Sequence, residues 1–158
     1  MSEQPEAGVL PIRFLGQYIR DLSFEVPHAP DIFADLRQTQ PSIPVQIEPA
    51  FRHLKGSQFE VSLTTQIDAT VNNRPAFILE LVYCAVVEID ERSLAPEHLH
   101  PVLGIEVPRF LFPFARQIVN DQTVSGGFPP LVLQPVDFVE LYRRKYGDKP
   151  QQVQRSVG

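Results

Sequence analysis

Two long runs of alternating residues, joined by AsnAsnArgPro, constrain this chain more than any other feature of it. From Phe59, the residues Val61, Leu63, Ile67, Ala69 and Val71 fall on one side, with Gln58, Glu60, Ser62, Thr64, Gln66, Asp68 and Thr70 on the other. That two-residue period belongs to a strand with one buried face. Asn tolerates the positive backbone angles of a tight turn, so the second run, Phe77 to Ile89, returns antiparallel to the first. The returning strand carries Phe77, Leu79, Leu81, Tyr83, Ala85, Val87 and Ile89 on one side. Its other side carries Ile78, Val82, Cys84 and Val86 beside Glu80 and Glu88. An antiparallel sheet in a small monomer turns one polar face to water, so a strand apolar on both sides predicts a second subunit on its outer face.

The flanking segments complete an α+β order. A first strand is predicted from Tyr18 to Val26, with Tyr18, Leu22, Phe24 and Val26 on one face with Arg20, and Ile19, Asp21, Ser23 and Glu25 on the other. Pro27 ends it, and ProHisAlaPro makes a rigid turn into an irregular connection bearing Ile32, Phe33 and Leu36. Ile43 to Leu54 reads as a second strand, which Pro44 and Pro49 confine to an edge or a bulge. After Asp90 the spacing becomes helical: a short helix over Ser93 to His100, then a main helix from Pro108 to about Val124, stopped by SerGlyGly. Apolar residues spread around more than one face of that helix, which predicts that it is sandwiched. GlyPheProPro then crosses the fold. A final helix is predicted from Pro135 to Tyr146, where Arg143, Arg144 and Lys145 suit the negative end of its dipole. The expected architecture is a four-stranded antiparallel sheet followed by two helices packed on one face. Residues 1–11 read as a disordered lead-in, 12–147 as one domain and 148–158 as a flexible tail.

Composition narrows the class. At 158 residues the chain has room for one domain with a core. Its net charge of -5 disfavours a nucleic-acid groove, which needs clustered cations to neutralise phosphates. Cys84 stands alone, so no internal disulfide forms. The polar opening SEQPEAG lacks the basic and apolar regions of a secretory signal, and no apolar run is long enough to span a bilayer. The expected location is the cytoplasm, without membrane insertion.

Chemistry-bearing motifs are sparse. His98 and His100, bracketed by Pro96 and Pro101, sit where residues two apart diverge, so they read as solvated surface residues and not as a metal pair. Cys84 reads as a core thiol. Gly126 and Gly127 stop a helix and do not open into one, as a phosphate cradle would. No Walker lysine, dinucleotide fingerprint or nucleophile elbow is present. The expectation is a protein with no enzyme activity, no metal and no cofactor. Asp21 and Glu25, on one strand face with Ser23, form either a solvated surface or an acidic dock for a basic partner.

Three segments carry a resemblance. DLSFEVPHAP (Asp21 to Pro30), LFPFAR (Leu111 to Arg116) and GFPPLVLQPVDFVELY (Gly127 to Tyr142) resemble, in order and spacing, the signature segments of the SecB family of protein-export chaperones. The similarity runs from Phe14 to Tyr146. It implies a homotetramer built as a dimer of dimers. It further implies an ATP-independent cytosolic chaperone that binds unfolded preproteins, keeps them translocation-competent and delivers them to the SecA motor of the Sec translocase. Asp21, Glu25, Ile78 and Glu80 match the family's positions for the basic, zinc-bearing tail of SecA. Phe33, Ile43, Val45, Ile47, Phe138 and Leu141 match its client groove. Many members end in an acidic tail, whereas this chain carries Lys149 and Arg155 there. Two other readings stand beside this one: a SecB-like solitary chaperone of a toxin-antitoxin system, and an α+β enzyme with a small-molecule pocket.

Overall fold

The alternating runs pair as their period requires. In the computed structural model, which describes residues 10–156, β3 (Gln58–Val71) and β4 (Arg74–Ile89) form an antiparallel hairpin turned by Asn72 and Asn73 at φ 49° and 62°. Outside them lie β1 (Ile12–Glu25) against β4 and β2 (Val45–His53) against β3, giving the sheet order β1-β4-β3-β2. Pro49 therefore sits on an edge strand, as its missing N–H demands. The lead-in expected over residues 1–11 falls mostly outside the described residues.

β1 starts earlier than its sequence suggests and changes phase twice. Its register with β4 shifts between Phe14 and Gly16 and again between Ile19 and Asp21, so Leu15 and Arg20 are extra residues. Each such bulge moves every following side chain to the opposite face. The expected grouping of Tyr18 with Leu22 and Phe24 is thereby corrected. Tyr18 stands opposite Cys84 on the outer face, while Ile19 stands opposite Tyr83 on the helix side. Asp21, Ser23 and Glu25 remain outward, as predicted.

Phe59, Val61, Leu63 and Ile67 of β3, with Leu79, Leu81 and Val87 of β4, are wholly buried on the helix side. Against them lies a rod that begins well before Pro108. It comprises a single turn α2 (Leu99–Pro101), a wide π-turn (Val102–Glu106) and α3 (Val107–Ser125). In the π-turn the Val107 N–H reaches back to the carbonyl of Val102. Pro108, next in line, has no N–H to give, so a loosened turn there forfeits little. Leu103, Val107, Leu111, Ala115 and Val119 form the buried stripe.

The connection before β2, expected to be irregular, contains α1 (Ile32–Gln38), with Ile32 fully buried and Asp35 bonded to Arg74 at 2.9 Å. After α3 the chain turns at Gly126, where a Cβ would stand 2.2 Å from the Phe24 ring. Phe128 then enters an aromatic cluster with Phe77, Phe33 and Phe24, at centroid distances of 4.8, 5.3 and 6.2 Å. Buried Thr123 holds the crossover, its hydroxyl donating to the Asn120 carbonyl at 2.9 Å and accepting the Leu131 N–H at 3.0 Å. α4 (Phe138–Tyr146) starts later than Pro135 because Asp137 is its cap, accepting the Glu140 N–H at 3.0 Å.

On the outer face of β4 only Val82 and Cys84 are buried, at 8% and 0% exposed, while Ile78, Glu80, Val86 and Glu88 are partly exposed. Ile19, Phe110 and Phe114 are large apolar residues left exposed on the helix side.

One buried side chain lacks a partner. The Thr65 hydroxyl, wholly enclosed in the core, makes no hydrogen bond among the described residues. Thr65→Val keeps the shape and removes the stranded group, so stability in urea should rise by about 1 kcal/mol. An unchanged or lower unfolding midpoint would show that the hydroxyl is satisfied.

Candidate functional site

Ile43, Val45 and Ile47 line one wall of an apolar groove of about 510 Å³ beside the free edge of β2. The opposite wall comes from the crossover, through Leu131, Val132, Leu133 and Val136, and from Leu141 of α4. Gln134 is its one polar lining residue. The crossover takes this extended path because Pro129, Pro130 and Pro135 deny it both helix and ladder.

The structure gathers four of the six residues expected here. Ile43, Val45 and Ile47 on one wall face Leu141 on the other; Phe33 and Phe138 are not among the lining residues. Phe138 is 2% exposed and packs edge-on against Phe112 at 5.9 Å, because the first turn of α4 dives into the core. Phe33 belongs to the Phe128 cluster, its ring 3.3 Å from where a Cβ on Gly127 would stand. The four crossover residues were readable as an apolar run without ladder partners, but their wall position was not.

α4 is fastened by an aromatic lock at its far end. Tyr142 lies flat against Gly104, where a Cβ would come within 2.7 Å of its ring. His100, read in the sequence as solvated, is 6% exposed, with Nδ1 2.6 Å from the Tyr142 hydroxyl. Its ring stands edge-on to Phe51 at 4.9 Å and to Tyr146 at 4.5 Å. The correction has a local cause: the rod begins at Leu99, which turns residue 100 inward. Lys145 ties the same helix to β2, donating to Glu48 at 2.7 Å and to the Pro49 carbonyl at 2.9 Å.

The opposite face of the sheet is acidic. Register places Ser23 beside Glu80, Glu25 beside Ile78 and Asp21 beside Val82, so Asp21, Glu25, Ile78 and Glu80 form one patch. Asp68, opposite Ile78 on β3, extends it. Further along, Glu60 is 6% exposed and held from both edges of the sheet. Arg20 Nη1 and Arg52 Nε each donate to it at 2.9 Å, and the Tyr18 hydroxyl donates to its other oxygen. Burial opposes the Glu60 charge, but bonds from Tyr18 and Arg52 and the two guanidinium charges outweigh it, leaving the carboxyl below its ordinary range. Burial and the bond to Glu60 push Tyr18 up to about 12. Burial also raises the Cys84 thiol, which suits a packing role. No group of three or more His, Cys, Asp or Glu among the described residues could hold a metal ion. None of their helices is long and apolar enough to cross a membrane.

An apolar groove beside a free strand edge, backed by an acidic sheet face, is an arrangement suited to binding extended polypeptide. Residues 4–149 match the family model described as SecB, preprotein translocase subunit. The protein-export protein SecB of Rhodospirillum rubrum is 49% identical over 89% of this chain and 86% of its own. That of Afipia carboxidovorans is 46% identical over 96% of this chain and 89% of its own. The chain belongs to the SecB family of protein-export chaperones, which are not enzymes. The fold also matches a Mycobacterium tuberculosis SecB-like chaperone solved with an antitoxin peptide, at TM-score 0.65 and 18% identity, over 80% of this chain and 91% of that one.

Burial first, and then the charge of Lys145, lower the His100 pKa below its usual value. The unfolded chain then binds more protons than the folded one, so stability rises with pH. The contribution is complete above about pH 6.5 and is lost as the pH falls below it. Melting temperatures of the native chain and His100→Gln should diverge in their pH dependence below that point. Parallel curves would mean that His100 does not titrate against folding.

Proposed function

We propose that this chain holds unfolded preproteins in its groove in the cytosol, without ATP, and passes them to SecA through its acidic face. The observation that supports this most directly is the groove itself. Its walls are apolar, and β2 beside it offers backbone groups that no other strand of the sheet uses. An extended client can lay apolar side chains against those walls and add to the strand edge. Each Å² of apolar surface covered contributes roughly 25 cal/mol, and the ordering of client and groove offsets much of it. One groove therefore binds weakly, and affinity for a long client comes from several grooves held together. Ile19, Phe110 and Phe114 supply the exposed helix-side surface on which the chain assembles as a homotetramer, a dimer of dimers.

Handover uses the other side of the sheet. Asp21, Glu25 and Glu80, with Ile78 between them, suit the basic tail of SecA, and their attraction acts at range in low salt. Groove and dock lie on opposite faces, so a loaded chaperone keeps its dock free. The antitoxin reading rests on a fold likeness alone, while the SecB relatives named for protein export match over most of the chain.

Leu141→Asp should weaken binding of a denatured client about tenfold, since a carboxylate replaces an apolar wall, with SecA binding retained. Asp21→Lys should do the reverse, weakening SecA binding about tenfold and leaving the client constant unchanged. Light scattering of an aggregating client and titration calorimetry with SecA read the two separately. Equal losses in both assays from either variant would refute separate surfaces.

A further inference from the structure

Beyond Leu141 a narrow cleft of about 30 Å³ under α4 leads from the groove along β2. Leu141 lines this cleft with Phe51 and Tyr146, and those two in turn border a trough that includes His53 and His100. A segment of the same chain forms the other wall of this trough. Residues 151–156, read in the sequence as part of a loose tail, border it, while Val153 turns away from it to pack against the core beside a cleft lined by Leu94 and Leu99. The Gln151 side chain donates to the Tyr146 carbonyl at 3.0 Å. At the far end the Ser156 N–H donates to His53 Nδ1 at 2.9 Å, and the Ser156 hydroxyl donates to the Leu54 carbonyl at 2.9 Å. Between these points Arg155 forms an ion pair with Glu91, donates to the Gly56 carbonyl at 3.2 Å and covers the Phe59 ring at 5.6 Å. Glu91 is set to receive it, because Ser57 donates to its other oxygen at 2.5 Å.

We propose that residues 151–156 are a tethered strap closing off the His53 end of β2, latched by Arg155 on Glu91, and that a long client must displace it to extend from the groove along the rest of that strand. The inference rests on the client-binding reading given above. The segment has the form of a removable strap: it lies in no helix or ladder and carries an apolar Val153 between polar anchors. Its hold comes from side-chain contacts at the surface, so it opens far more readily than the sheet beneath it. A binder whose competent state is populated in about 10–30% of molecules shows an apparent affinity roughly three- to tenfold weaker than its intrinsic one. The strap thereby sets a threshold: a short segment meets only the near end, while a long unfolded one gains enough contact to open the latch.

The test uses the full chain and a permanently unfolded probe, a reduced and carboxymethylated globular protein followed by fluorescence anisotropy. Exchange of the Ser156 amide, read by NMR, reports strap docking without any client. Glu91→Lys and Arg155→Glu should each speed that exchange and tighten probe binding roughly three- to tenfold. The two substitutions change the charge in opposite senses, so a shared gain cannot come from attraction to the probe. Exchanging the pair, Glu91→Arg with Arg155→Glu, should restore both readings. Faster Ser156 exchange with an unaltered probe constant would overturn the competition, as would an unprotected Ser156 in the native chain. If neither the native chain nor any variant bound the probe, the client-binding reading would fall, and the strap's role with it.

Discussion

The β3–β4 hairpin is the constraint on which the other parts depend. Its helix-side residues are buried along almost the whole of both strands, so the sheet must be covered there and can face water only on the other side. With the hairpin at the centre, β1 and β2 become the two edges. The edges then diverge. β1 carries carboxylates outward and two bulges that twist it, whereas β2 carries an edge proline and turns Val45 and Ile47 towards the crossover. One sheet thus keeps an electrostatic surface and an apolar one apart, with its own thickness as the partition.

Much of this was legible in the sequence, for physical reasons that also explain what was not. The hairpin could be read because a buried face enforces a two-residue period and Asn72 and Asn73 permit the turn. The edge position of β2 followed from Pro49, and the outward set of Asp21, Ser23 and Glu25 from simple alternation. Bulges have no such mark: Leu15 and Arg20 fit the strand chemically, so the inverted faces of Tyr18 and Ile19 emerged only from the register. α1 was hidden because its short apolar set, Ile32, Phe33 and Leu36, lies among prolines that suggest a connection.

The groove shows the same division. Its β2 wall was legible because a strand's alternation tells which side chains share a face. Its crossover wall has no period to read, since Leu131 to Val136 follow no repeating structure and owe their positions to Thr123 and the Phe128 cluster. Phe138 and Leu141 are three apart on one helix and look equivalent in sequence, yet the first is swallowed by the core and only the second meets the groove. His100 likewise depended on where a helix begins, the boundary that local chemistry specifies least well.

The buried Glu60 has a meaning beyond its bonds. Its partners come from β1, through Tyr18 and Arg20, and from β2, through Arg52, so one carboxylate is answered from both edges of the sheet. Sliding either edge strand by a single residue would carry its cation to the opposite face and leave the enclosed carboxylate with partners from one edge alone. The arrangement thus favours one register of both edges over its neighbours. Mispaired versions are penalised at one point, and the acidic face and the groove wall are kept in a fixed alignment although no contact joins them directly.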